Sequence, residues 1–200
     1  MEQNRALILA SASPRRREIL GQLGVAFRVE PSGIDETLLP GETPGVHVRR
    51  LAAEKAVEVA QRWSGDRARP LVLAADTIVL IEGEVLGKPR DDVDAVRMLG
   101  LLAGRTHEVI TALAVREIDG GYADDFALTT AVQFRELDAS TMQAYVASGE
   151  GRDKAGSYAI QGLGAGLVRA ITGSYTNVVG MPAVETLQAL MRAGVVERWP

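Results

Sequence analysis

Two hundred residues, 46% of them hydrophobic, suffice for one large domain, or one core with a lobed insertion, around a packed interior. A formal charge of −4 and 4% aromatic residues argue against a nucleic-acid partner, and the absence of cysteine removes disulfides, thiolate zinc sites and cysteine nucleophiles. His47 and His107 do not make a multi-histidine centre, so any metal would be a hard ion held by carboxylates. The apolar runs at 71–75 and 78–81 are too short for a membrane span, and the Met-Glu-Gln-Asn-Arg start lacks the basic-then-apolar order of a signal peptide, so a cytoplasmic protein without a membrane partner is expected.

Residues 7–10 are an apolar run fit for a buried strand, Ser13 and Pro14 read as N-cap and first helical residue, and Ile19, Leu20 and Leu23 supply the buried stripe of the helix that follows. Arg15, Arg16 and Arg17 crowd the first turn, where the helix dipole disfavours each cation by roughly 0.3–1 kcal/mol. A phosphate held by the helix N-terminus, the guanidinium forks and the hydroxyls of Ser11 and Ser13 would remove that conflict. The alternative is a solvated basic turn neutralised by Glu18.

Residues 25–29 alternate like a strand, and a polar loop over 33–41 carries Asp35 and Glu36. Thr43 and Pro44 open a helix running to about residue 63, in which Leu51, Lys55, Val59 and Trp63 share one face, with Val48, Ala52, Ala56 and Ala60 beside them. Lys55 is therefore on the buried side, where it either snorkels outward or points inward at an anion. Residues 71–81 have the near-continuous apolar character of a central strand, with Asp76 in the middle. A carboxylate buried alone costs several kcal/mol, so Asp76 must meet a cation, accept strong hydrogen bonds or be protonated for chemistry, unless the strand bends there to reach water. It is the candidate catalytic acid.

Glu82-Gly83-Glu84 reads as a tight hairpin turn, and Gly87-Lys88-Pro89 places Lys88 on a rigid loop. A helix over 91–102 turns Val93, Val96 and Leu99 inward and closes at Gly104; residues 105–115 and 126–134 then form two strands of a meander about an Asp119-Gly120-Gly121 turn. His107, with no second ligand near it in sequence, reads as a hydrogen-bonded structural residue. Ser140 caps a helix ending at 147, before Gly149. The glycine-dense stretch 149–173, threaded with Asp153, Lys154, Ser157, Tyr158 and Gln161, lets backbone approach a ligand or makes tight strand connections. A final amphipathic helix, from 182 to about 193, puts Val184, Leu187, Leu190 and Met191 inside.

The stretches LASASPRRREIL, EKA around Lys55, AADTIV, GKP, GRTHEVIT, DKAGSYAIQGLGAG and GSYTNVVGMP, spread from residue 9 to 182, resemble the Maf family of nucleotide pyrophosphatases. That resemblance implies an α/β fold, a mixed twisted sheet in two lobes with flanking helices and a central cleft, similar to the inosine triphosphate pyrophosphatases, with residues 1–200 as a single domain and a homodimer as the assembly. It implies hydrolysis of a nucleoside triphosphate between its α- and β-phosphates, with Mg²⁺ or Mn²⁺. The family's functional set falls on Ser11, Arg15, Arg16, Glu36, Lys55, Asp76, Lys88 and Gln161. At the subgroup-determining places stand Arg15, Thr77 and Gln161, which resembles the subgroup acting on dTTP and UTP; the 7-methylguanosine triphosphate subgroup typically has Trp, Gln and Glu. Gly151 departs from the family's frequent GEP turn, which bears on local loop geometry alone.

On this footing Arg15, Arg16, Lys55 and Lys88 would surround the triphosphate, with Ser11 adding a hydrogen bond. Glu36 and Asp76 would hold the metal, Asp76 would orient the attacking water, and Gln161 and Thr77 would face the base. Two other classes compete. A regulatory module could sense nucleotide without cleaving it, in line with the family's link to septum inhibition, though acids beside a polyanion help a sensor little unless a metal intervenes. A house-cleaning enzyme for inosine or xanthosine triphosphate shares the fold and lacks the Arg15, Thr77, Gln161 pattern.

Overall fold

A computed structural model describes residues 2–65, 67, 69–117 and 121–199; Asp119 and Gly120 of the expected turn lie outside the described residues. The elements are β1 (Glu2–Gln3), β2 (Leu7–Leu9), α1 (Pro14–Gln22), β3 (Arg28–Val29), α2 (Pro44–Gln61), β4 (Leu71–Ile81), β5 (Glu84–Leu86), α3 (Asp92–Leu102), β6 (Thr106–Glu117), β7 (Ala123–Phe134), α4 (Ala139–Ala147), β8 (Val168–Thr172), α5 (Tyr175–Val179), α6 (Ala183–Arg192) and β9 (Val196–Arg198). The main sheet is mixed and seven-stranded, in the order β3-β2-β4-β6-β7-β8 with β5 paired to β4, and β1 pairs with β9 apart from it. The chain falls into two compact units, the first holding residues 1–76, 111–128 and 180–200, the second residues 77–110 and 129–179.

In the first unit β2 lies parallel to both β3 and β4, with Ile8 opposite Arg28 and Val72. Parallel neighbours cannot be joined by a tight turn, so α1 and α2 serve as the crossovers. Coverage of both faces is why 71–75 reads as an unbroken apolar run, and all five of its side chains are fully buried. Each of these leucines and valines contributes roughly 1.5–3 kcal/mol by leaving water. Val25 is buried but not in a strand: its amide donates to the Leu20 carbonyl at 3.1 Å, closing α1 behind Gly24 at φ 77°, which leaves only Arg28 and Val29 to pair with β2.

In the second unit β4 and β5 join through Glu82 (φ 48°) and Gly83 (φ 85°), the two positive φ values of a type I′ hairpin. β7 pairs antiparallel with β8, and His107, Phe134 and Tyr158 form an edge-to-face aromatic cluster with ring centroids 4.7–5.4 Å apart. The expected facing of two helices is corrected. α3 buries Ala95, Met98, Leu99 and Leu102, while Val93 is 80% exposed, because the spacing from 95 to 102 defines a stripe that excludes 93. α6, of the first unit, buries Thr186, Ala189 and Leu190 and leaves Val184 and Met191 exposed. The cap of α4 is Asp138, whose carboxylate accepts from Thr141 N at 2.7 Å, and not Ser140.

Candidate active site

The first unit gathers the charged residues. Lys55 leaves the apolar face of α2 and its Nζ donates to Asp76 Oδ1 at 2.7 Å and to Glu36 Oε1 at 2.6 Å. The Lys55 and Asp76 side chains are each 10% exposed, whereas Glu36 is 51% exposed. Inward orientation, not snorkelling, is the outcome, and the strand does not bend to water at Asp76. The pairing follows from burial: a lone charge on either element would be strongly unfavourable, and each cancels the other.

The loop carrying Glu36 is tied to α2 by a second ionic group. Arg50 donates to Glu42 through Nε (2.7 Å) and Nη2 (2.9 Å) and to the Thr37 carbonyl (3.0 Å), while Glu42 accepts the Leu39 amide (3.2 Å) and faces His47 Nδ1 (3.0 Å). Hydrogen bonds from Arg50 hold the Glu42 carboxyl down at about 2. Asp35 accepts the amide and the hydroxyl of Thr37 at 2.9 and 2.6 Å, an Asx turn that fixes the neighbour of Glu36. Sequence reasoning missed Glu42, His47 and Arg50. Their i, i+3 spacing at 47 and 50 was visible, but nothing in sequence tied them to residue 37.

At the start of α1, Ser13 occupies the cap position without a side-chain capping bond. Instead Ser11 Oγ accepts from Ser13 N at 3.2 Å and from Arg16 Nη1 at 3.1 Å, and Arg16 also donates to the carbonyls of Ala75 (2.8 Å) and Gly180 (2.9 Å). Burial lowers the Arg16 pKa, Asp76 and Glu36 oppose that change and Arg15 adds to it. Arg16 is thus a strut as well as a cation. Arg15, half-buried on the next position, makes no side-chain hydrogen bond or ion pair among the described residues. Ser11, Arg16, Glu36, Lys55 and Asp76 are therefore brought together within one unit, with Arg15 adjoining them in sequence.

Thr77, Lys88 and Gln161 belong to the second unit. Thr77 follows Asp76 on β4 and so emerges on the opposite face of the strand. Lys88 is exposed on its loop, next to Gly87, whose carbonyl accepts the Gly156 amide at 3.1 Å. Gln161 is half-buried and caps a short 3-10 segment, Gly162–Gly166, with its backbone alone. His107 is structural: it is 1% exposed, its Nε2 lies 2.8 Å from the Tyr158 hydroxyl, and burial pulls its pKa down to about 4.

Among the described residues no group of three or more His, Asp or Glu side chains is placed to hold a metal. Two carboxylates do converge, Asp76 and Glu36, and both supply the hard oxygen donors that Mg²⁺ or Mn²⁺ takes. A cation bound there would complete its shell with water and substrate phosphate, which is how Mg²⁺ sites in phosphoryl chemistry are built. The donor type fits such an ion, and Lys55 Nζ engages one oxygen of each carboxylate.

A profile of the Maf-like proteins matches residues 6–193. The chain belongs to the Maf-like protein family. Relatives named dTTP/UTP pyrophosphatase include one from Geotalea uraniireducens (strain Rf4), 50% identical over 98% of this chain and 100% of its own, and one from Anaeromyxobacter sp. (strain Fw109-5), 51% identical over 96% and 92%. A solved nucleoside-triphosphatase / dITP/XTP pyrophosphatase from Mycobacterium abscessus covers 94% of each chain at 12% identity and a TM-score of 0.42, a likeness that decides nothing here. The matched Maf-like span contains every motif residue from Ser11 to Gln161.

Proposed function

We propose that this Maf-like chain hydrolyses dTTP and UTP to the nucleoside monophosphate and pyrophosphate. The observation that carries the reading is the buried Lys55 ammonium held between Asp76 and Glu36, beside the Arg16 and Ser11 that open α1. Relatives of about half identity over 92–100% of their length, named for that activity, support the choice of substrate.

Arg15, Arg16 and Lys55, with Lys88 from its loop, neutralise the triphosphate and the charge that moves onto pyrophosphate as the α–β bond breaks. Ser11 Oγ adds a donor to the phosphate oxygens, and the positive end of the α1 dipole favours their charge. Asp76, whose second oxygen accepts no hydrogen bond from a described residue, orients the attacking water and takes its proton. Asp76 and Glu36 would hold a divalent cation, which when bound polarises the α-phosphate. Gln161 and Thr77 face the pyrimidine, the carboxamide offering a donor and an acceptor together. The wider reading is a cytoplasmic homodimer.

The deciding experiment incubates the purified chain with dTTP, UTP, CTP, dITP, XTP and 7-methyl-GTP in Mg²⁺ or Mn²⁺ and measures pyrophosphate and monophosphate. Fastest turnover on dTTP and UTP is expected. Release of inorganic phosphate in place of pyrophosphate, or fastest turnover of dITP, overturns it.

A further inference from the structure

The glycine-rich segment after α4 handles its capping groups in an uncommon way. Gln161 is the N-cap of the 3-10 segment, with extended backbone (φ −95°, ψ 169°), yet its side chain makes no capping bond. The amides two and three residues after a cap are the ones its own side chain ordinarily receives. Here Glu150, from the turn that ends α4, receives both: Oε1 accepts from Leu163 N at 2.9 Å and Oε2 from Gly164 N at 2.8 Å.

Tyr145 of α4 braces the arrangement. Its hydroxyl donates to Glu150 Oε2 at 2.9 Å and accepts the Ala159 amide at 3.0 Å, so the loop is gripped on both sides of Gln161. Two glycines make the grip fit. A Cβ on Gly162, at φ 62°, would run into the Glu150 carboxylate, and one on Gly164 would run into the Ala159 carbonyl. Burial alone would raise the Glu150 pKa; the hydrogen bonds from Gly164, Tyr145 and Leu163, with Lys154 nearby, outweigh it and keep the carboxylate ionised.

We propose that Glu150, braced by Tyr145, is the positioning residue for Gln161: it takes over both capping amides, fixes the loop, and leaves the Gln161 carboxamide unengaged for a pyrimidine edge. Among the described residues that side chain makes no hydrogen bond. A residue that capped its own turn would be folded back on the backbone and lost to recognition. The inference rests on the reading that Gln161 faces the base.

The test is steady-state kinetics of E150Q, Y145F, Q161A and the E150Q/Q161A double variant on dTTP, UTP, CTP and dATP. In E150Q an NH₂ group replaces one acceptor and opposes an amide donor. KM for dTTP and UTP should rise about tenfold, with kcat within about threefold and CTP and dATP scarcely changed, so that discrimination collapses. Y145F should move the same way by less, and E150Q should add nothing to the discrimination already lost in Q161A. If Q161A loses discrimination while folded E150Q keeps it, Glu150 is only a clasp and the proposal falls. If Q161A itself keeps discrimination, the base-reading role of Gln161 fails, a separate result that takes this proposal with it. Should E150Q not fold, Y145F and Y145F/Q161A carry the same comparison.

Discussion

The two regions that carry the proposed roles hold their residues by opposite means. In the first unit, side chains hold side chains: Lys55 joins two carboxylates, Arg50 joins Glu42 to the Thr37 carbonyl, and Arg16 reaches two backbone oxygens. In the second, backbone amides of a glycine-rich loop are held by one carboxylate and one phenol, and the side chain at the loop's tip is left alone. Charged groups that face a polyanion need partners while it is absent, because burial without compensation is costly. A neutral carboxamide has no such need. Removing a member of the first region should therefore cost stability and chemistry together, and removing a member of the second should cost selectivity.

The largest expected effect tests the chemistry. Asp76→Asn keeps the shape and removes the base, so kcat should fall about a thousandfold while circular dichroism stays native; near-normal kcat would take Asp76 out of the reaction. Lys55→Met should lower kcat/KM about a hundredfold and destabilise by about 3 kcal/mol, since it leaves a buried carboxylate without its cation. A stability loss with unchanged kinetics would make Lys55 a structural counter-ion.

Acid should separate the regions by pH window. His107 takes a proton near 6.5 when unfolded and only at about 4 when folded, so the unfolded chain binds more protons between those values. Stability is complete above 6.5 and declines as pH falls to 4, by about 3 kcal/mol, and denaturant titrations of His107→Leu should lack that decline. Glu42, folded, titrates at about 2 instead of 4.5. Its contribution is complete above 4.5 and lost as pH falls through 2, a lower window in which Glu42→Gln should show the shallower fall in Tm. Coincident windows would defeat the separation. The smallest effect concerns caps: Asp138→Ala should lower Tm by more than Ser13→Ala does, because Asp138, unlike Ser13, makes a side-chain capping bond.

The strand, the long helix and the charged cluster could be read in advance because each left a local contradiction. A lysine on an apolar helical face and an aspartate inside an apolar strand each demand a partner, and they turn out to be one another's. Arginines at a helix start posed the same problem, only partly answered by the strut role of Arg16. Facing on α3 and α6 was misjudged because valine, leucine and methionine occur on both sides of those helices, so composition does not pick the stripe. Edge elements such as β1, β8 and β9 are short pairings settled by distant partners, and Glu150 looks in sequence like any surface acid. Gly151, the departure from the family turn, proves buried where an added Cβ would strike the Ser157 carbonyl.

The carbonyl that Arg16 grips belongs to the peptide plane joining Ala75 to Asp76. On the proposed reading an incoming anion competes with that carbonyl for the guanidinium, so its capture is felt at the amide next to the carboxylate, and a substrate too short to reach the arginine would leave that amide's partner in place.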